Sequence, residues 1–185
     1  MATTFPGTTI ETLSLTKGCS RSLFDGVFAT GGITLSQVSI MTGLEPYLIQ
    51  NWVKRGFVSS PTKRVYSKDQ FARILIINML REVLQIERIC ALIQIIGGAP
   101  DDPNDDLISD SELYHRYVDL LSSGGIDLTD RDATFSAAQN ASADFSERNA
   151  GERKKLAHIL QVMLYAHTAS SLRDAAENIL SALDE

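Results

Sequence analysis

The run from Tyr47 to Tyr66 gathers side chains suited to directed recognition of another molecule. Tyr47, Gln50, Asn51 and Lys54 recur at intervals of three and four, the spacing that puts residues on one face of a helix. Leu48, Ile49, Trp52 and Val53 fall on the other face and form its inner side, with Trp52 expected in the core. A carboxamide presents a donor beside an acceptor, the pattern that pairs bidentately with the edge of adenine, while ammonium and guanidinium groups neutralise phosphates. The chemistry on offer is therefore readout of double-stranded DNA. Tyr47, Gln50, Asn51 and Lys54 are the candidates for the major groove. Arg55, Lys63, Arg64 and Tyr66 are the candidates for the phosphates.

Other chemistries leave no comparable trace. His115, His158 and His167 are scattered, with no cluster at metal-ligand spacing, so each is expected on a helix surface. The Pro- and Asp-rich run 99–110 has carboxylates, but prolines interrupt it, and it lacks the glycine and the terminal glutamate of a calcium loop. It reads as a solvated acidic connection that caps the next helix at Asp110. Cys90 lies among Ile89, Ala91 and Leu92 as a small buried hydrophobe, so a bridge to Cys19 is not expected. There is no phosphate-binding loop, dinucleotide fingerprint, nucleophile elbow, zinc-protease motif or Cys-x-x-Cys pair. Neither catalysis nor a cofactor is expected.

The elements that must position the recognition residues are legible around them. Thr34 or Ser36 can cap a short helix with Leu35, Val38 and Met41 at helical spacing, and Gly43 supplies the left-handed stop. Pro46 suits the first turn of a second helix because no N–H is needed there, and Gly56 closes it. Residues 57–66 alternate and turn like two short strands around a Ser-Pro-Thr-Lys tip. Ser67 with Gln70 then forms a capping box, opening a helix apolar around most of its circumference through Phe71, Ile74, Leu75, Ile77, Met79, Leu80 and Leu84. A further helix through Ile86, Ile89, Leu92, Ile93 and Ile96 ends at Gly97-Gly98.

The order of Gly43, Trp52-x-x-Arg55-Gly56-Phe57-Val58, Arg64-x-Tyr66-Ser67 and an apolar helix resembles the MerR-type winged helix-turn-helix. From Ile33 to Leu121 the chain also resembles a family of uncharacterised bacterial proteins, catalogued as a domain of unknown function, that joins such a head to an all-helical tail. The resemblance implies a DNA-binding head with a short β wing and a mainly α fold. It departs at Gln50, where MerR proteins usually carry arginine, and at Asn51, which replaces an aromatic residue.

The rest of the chain sets the context. Its 185 residues, 44% hydrophobic, suffice for one domain or for a small head with a helical body. The expected division is an N-terminal arm or short helix over 1–32, the head over 33–98 and a helical region over 99–185. The net charge of −6 is unevenly spread: residues 33–96 hold 8 positive and 4 negative side chains, whereas 97–147 hold 2 and 12. The acidity lies outside the head, so it does not exclude a nucleic acid. The arm is read as partly ordered, with a short helix through Leu23, Phe24, Val27 and Phe28 docked on the head or a partner. Residues 126–148 are either a weak helix or a mobile linker. From Glu152 a stripe of Leu156, Ile159, Leu160, Met163, Leu164 and His167 is interrupted at 168–171 and resumes through Leu172, Ala176, Ile179, Leu180 and Leu183. Such a stripe fits a dimer interface or packing onto the apolar helices of 71–96. No apolar run reaches membrane-spanning length and no secretory leader is visible, so a cytoplasmic protein is expected. Two functions follow: a transcriptional regulator binding DNA as a dimer, its small-molecule effector unspecified, or a protein-interaction module that keeps the head's shape without DNA binding.

Overall fold

The computed structural model describes residues 3–96 and 106–183. The expected helix stop at Gly97-Gly98 and most of the Pro- and Asp-rich connection lie outside them. The described chain is mainly α-helical. It forms β1 (Thr3–Thr4), β2 (Glu11–Thr12), α1 (Cys19–Val27), β3 (Ile33–Thr34), α2 (Leu35–Thr42), α3 (Pro46–Lys54), β4 (Val65–Tyr66), α4 (Lys68–Leu80), α5 (Ile86–Ile96), α6 (Asp110–Ser122), α7 (Arg131–Ala141) and α8 (Glu152–Leu183).

Helix α4 is the axis of the core because its sequence leaves it almost no polar side. Phe71, Ala72, Ile74, Leu75, Ile76, Ile77, Met79 and Leu80 are all buried, and α2, α5, α6 and α8 pack around them. One cluster of buried residues runs from Phe5 to Ala166, so arm, head and C-terminal helices share a single apolar interior. Polar ties reinforce the seam. Arg73 Nε donates to Asp110 Oδ2 at 2.7 Å, and Ser111 donates to Asp69 through both N–H and hydroxyl. Burial outweighs the Arg73 charge at Asp110 and raises its carboxyl above the ordinary range. The cap of α6 is Ser109, one residue before the expected Asp110.

Residues 3–32 are more ordered than their composition suggests. β1 and β2 pair antiparallel, and Thr9 uses its N–H and hydroxyl to bond the carbonyls of Met41 and Ile40 at the end of α2. Gly7, at φ 73°, lies so close to α4 that a Cβ there would meet the Leu75 carbonyl oxygen at 2.5 Å. Asn78 of α4 donates to the Gly7 and Thr42 carbonyls, and Tyr114 of α6 donates to Pro6 O. The arm is thus an anchor on its own core. Helix α1 adds Phe24, packed against Phe28, Phe71 and Tyr114 with ring centroids 5.5–5.7 Å apart.

The C-terminal region resolves two alternatives and corrects a third reading. Residues 131–141 are a helix, capped by Asp130, which accepts from the N–H groups of Asp132 and Ala133. Helix α8 runs through 168–171 without a break, and Ser171 donates to the His167 carbonyl one turn back. Its first half packs on α4, α6 and α7 and buries Leu156, Ile159, Leu160, Met163 and Leu164. Its second half is tied back through Arg173, which donates to the Glu82 carbonyl and carboxylate, while Leu172, Ile179, Leu180 and Leu183 are 61–77% exposed. Among the described residues no helix is long and apolar enough to cross a membrane.

Two histidines depart from the expected surface positions. His115 is buried, its Nδ1 2.9 Å from Ser20 Oγ and its ring edge-on to Phe24. His167 is half-buried with Nδ1 2.6 Å from the Tyr117 hydroxyl. His158 is exposed, as read. Cys19 and Cys90 are both free and half-buried, and burial pushes the Cys90 thiol upward.

Candidate nucleic-acid interface

Helices α2 and α3 are set by local chemistry. Thr34 caps α2 by accepting from Gln37 N–H, and the Gln37 side chain accepts in return from Thr34 N–H, completing a capping box. Gly43, at φ 69°, ends the helix. Within the turn Ser39 Oγ donates to Leu44 O at 2.6 Å and Thr42 Oγ1 accepts from Leu44 N–H. Pro46 then opens α3.

On α3 the two faces separate as their spacing predicts. Ile49 and Trp52 are buried, Leu48 and Val53 half-buried, while Tyr47, Gln50, Asn51 and Lys54 are exposed together along one side. Tyr47 is 70% exposed, so its ring is presented rather than packed. Arg55, which ends the helix, is exposed and lies over the Phe57 ring, 4.5 Å from guanidinium carbon to ring centroid.

The segment after α3 differs from the expectation. Residues 57–60 form no strand. The chain returns instead through a bridge between Thr62 and Val65, and β4 pairs antiparallel with β3, Ile33 opposite Tyr66 and Thr34 opposite Val65. The tip is therefore Lys63-Arg64, two residues beyond the expected centre. Both have positive φ, 51° and 68°, the pattern of a type I′ two-residue hairpin turn, where Asn-Gly is the favoured pair. Gln70 steadies the approach to this tip. Besides closing the capping box of α4, its Nε2 donates to Ser59 O, Ser59 Oγ and Ser60 O. That positioning role was missed in the sequence, where Gln70 reads only as a capping residue.

Lys63 and Arg64 are exposed, but Tyr66 is not. Its ring is 3% exposed and belongs to the core, and burial raises its hydroxyl pKa. The strand places Val65 and Tyr66 on opposite sides, and it is Tyr66 that turns inward. Tyr66 is accordingly removed from the phosphate-contacting set.

The cations around the head differ from those that tie the helices together, although Lys17, Arg88, Arg131, Arg153, Lys154 and Lys155 elsewhere also form no ion pair among the described residues. Arg21, Lys68, Arg73, Arg81, Arg116 and Arg173 are all engaged in ion pairs. Lys54, Arg55, Lys63 and Arg64 take part in none among the described residues. No group of three or more His, Cys, Asp or Glu side chains suited to a metal ion occurs among the described residues.

This geometry lies within the part of the chain that has recognisable relatives. Residues 32–117 match a family described as a domain of unknown function, DUF1836, a span that takes in α2 to α5 and most of α6. A protein of Bacillus subtilis (strain 168), "Uncharacterized protein YkrK", is 30% identical over 93 residues, 48% of this chain and 40% of that protein. The chain thus spans less than half the length of the curated relative it matches. No solved structure matches.

Proposed function

We propose that this protein is a transcriptional regulator that binds double-stranded DNA through a MerR-like winged helix-turn-helix built from α2, α3 and the Lys63-Arg64 turn. The observation that carries this reading is the set of exposed donors lacking internal partners. Gln50, Asn51 and Lys54 line one face of α3, and the cations of that helix end and of the turn stay out of every ion pair formed among the described residues. Exposed cations without partners are the means by which a protein displaces counterions from phosphates. On α3 the carboxamides of Gln50 and Asn51 read adenine edges, while Tyr47 and Lys54 complete the face in the major groove. Arg55, Lys63 and Arg64 bind phosphate.

The protein acts as a homodimer through the second half of α8. Leu172, Ile179, Leu180 and Leu183 form an exposed stripe at helical spacing, which matches the two-fold symmetry of a palindromic site. Selection of bound duplexes from a random pool tests the whole reading. Enrichment of an inverted repeat supports it, and an unenriched pool defeats it.

A second reading rests on a separate observation. Ile40 of α2 is 72% exposed, and so, to a similar degree, is Tyr47 of α3. An aliphatic and an aromatic side chain presented in this way suit a protein partner, which would make the head an interaction module. Affinity insensitive to salt for every duplex would favour that module.

A further inference from the structure

A cavity of about 760 Å³ opens where the start of α1 meets α6 and α7. Its size lies within the range of small-molecule sites, roughly 300–1,000 Å³. The floor is apolar, formed by Leu120, Ile126, Ala137 and Ala141, and the walls carry Lys17, Arg21, Arg116, Asp119, Asp144 and Asn140.

The carboxylates of this cavity are already occupied. Asp119 accepts from Gly18 N–H through Oδ1 and from Arg21 through Oδ2, each at 2.7 Å. Asp144 accepts from Arg116 Nη1, and that bond holds its carboxyl below the ordinary range. What remains free of protein partners on the solvent side is Lys17 with Asn140. Lys17 is exposed and in no ion pair among the described residues. The Asn140 carboxamide makes no hydrogen bond among them either. Arg116 is 9% exposed, and its Nε–H has no hydrogen-bond acceptor. Glu112 Oε1 lies 2.9 Å from that nitrogen, close enough for charge attraction but off the line of the N–H. That nitrogen is buried out of reach of the cavity, so the cation that faces an incoming ligand is Lys17.

We infer that this cavity binds a small organic monocarboxylate with a short apolar body. Its carboxylate meets Lys17 and Asn140, and its hydrocarbon part lies on Leu120, Ile126, Ala137 and Ala141. A dianion is less suited, because the carboxylates of Asp119 and Asp144 share the walls. Nothing in this inference depends on α3 reading DNA.

The test is a titration of the full chain followed by amide NMR, with hexanoate and benzoate as probes and benzamide, benzylamine and inorganic phosphate as comparators. Either carboxylate should shift the amides of Gly124, Asn140 and Ala141 saturably in the millimolar range, and the three comparators should not. Lys17→Ala should weaken binding roughly fivefold, the scale of one solvent-facing ion pair. Ala137→Leu should fill the floor and abolish binding, with the spectrum away from the cavity confirming an intact fold. The inference is overturned if neither carboxylate gives a saturable shift, if benzamide or phosphate acts equally well, or if Lys17→Ala binds as the parent does. Because binding is read on the protein alone, it stands or falls separately from the DNA-binding proposal.

Discussion

Replacing Lys63-Arg64 by Asn-Gly should stabilise the fold while weakening its grip on DNA. Both residues have left-handed backbone, φ 51° and 68°, which costs a residue with a Cβ about 1–2 kcal/mol. Asparagine tolerates that conformation and glycine adopts it freely, though glycine gives back about 0.5–1 kcal/mol through the entropy of the unfolded chain. Neither side chain makes an ion pair among the described residues, so little native interaction is lost. The net gain is about 1–2 kcal/mol, which at 2–4 °C per kcal/mol for a chain of this size raises Tm by about 2–8 °C. On DNA the same change removes two phosphate contacts and flattens the plot of log affinity against log salt by about 0.9 for each. Calorimetry and fluorescence anisotropy on one preparation read both effects. A lower Tm would refute the strained turn, and an unchanged salt slope would refute its contact with phosphate.

Further perturbations separate the remaining claims. Asn51→Ala should cost roughly 1–3 kcal/mol at particular base pairs only, read by competition between selected and point-substituted duplexes; an equal loss on all sequences would reassign Asn51 to the backbone. Gly7→Ala forces a Cβ against the Leu75 carbonyl at positive φ and should destabilise by roughly 2–3 kcal/mol in urea unfolding, whereas an arm that is not anchored would show no change. Stability should also fall on mild acidification. Burial depresses the pKa of His115, with Arg21 adding to the effect against the opposing pull of Glu112 and Asp119, and burial alone depresses that of His167. The unfolded chain therefore takes up protons near pH 6.5 before the folded one does, so the stability is full above that pH and declines below it, by at most about 1.4 kcal/mol per pH unit for each group. His167→Gln should flatten this decline in Tm against pH, and an unaltered slope would clear His167. Leu180→Asp should convert a dimer to a monomer in sedimentation; a parent that is already monomeric well above working concentrations would remove the dimer.

The parts of this structure that were legible in the sequence are those whose physics is local. The Ser67–Gln70 capping box, the cap at Thr34 and the Gly43 stop join residues within a few positions of one another, whereas the return bond from Gln37 was not read; the exposed face of α3 follows from period alone. The turn at Lys63-Arg64 was not legible, because neither residue favours positive φ and Pro61 drew the reading two positions early. What sets that turn is the pairing of β4 with β3, about thirty residues back in the chain, together with the grip of Gln70 on Ser59 and Ser60. The inward turn of Tyr66 follows from the same register. The arm reads as only partly ordered because its composition is polar. Its order comes from Thr9 on α2, Asn78 on Gly7 and Tyr114 on Pro6, contacts that no local pattern announces. His115 was read as a surface residue because helices usually leave one face wet, whereas α6 is enclosed from Leu113 to Val118 by α1, α4, α7 and α8.

Arg55, at the end of α3, and Lys63 and Arg64, in the turn, serve in this proposal to bind the phosphates of DNA. The most direct test is the salt dependence of wild-type affinity for a selected duplex and for its scrambled counterpart. Three phosphate contacts per protomer, from Arg55, Lys63 and Arg64, predict a log–log slope of about −3 per protomer on either duplex, with the selected one bound more tightly at every salt concentration. The absence of salt-sensitive affinity for any duplex would contradict the account.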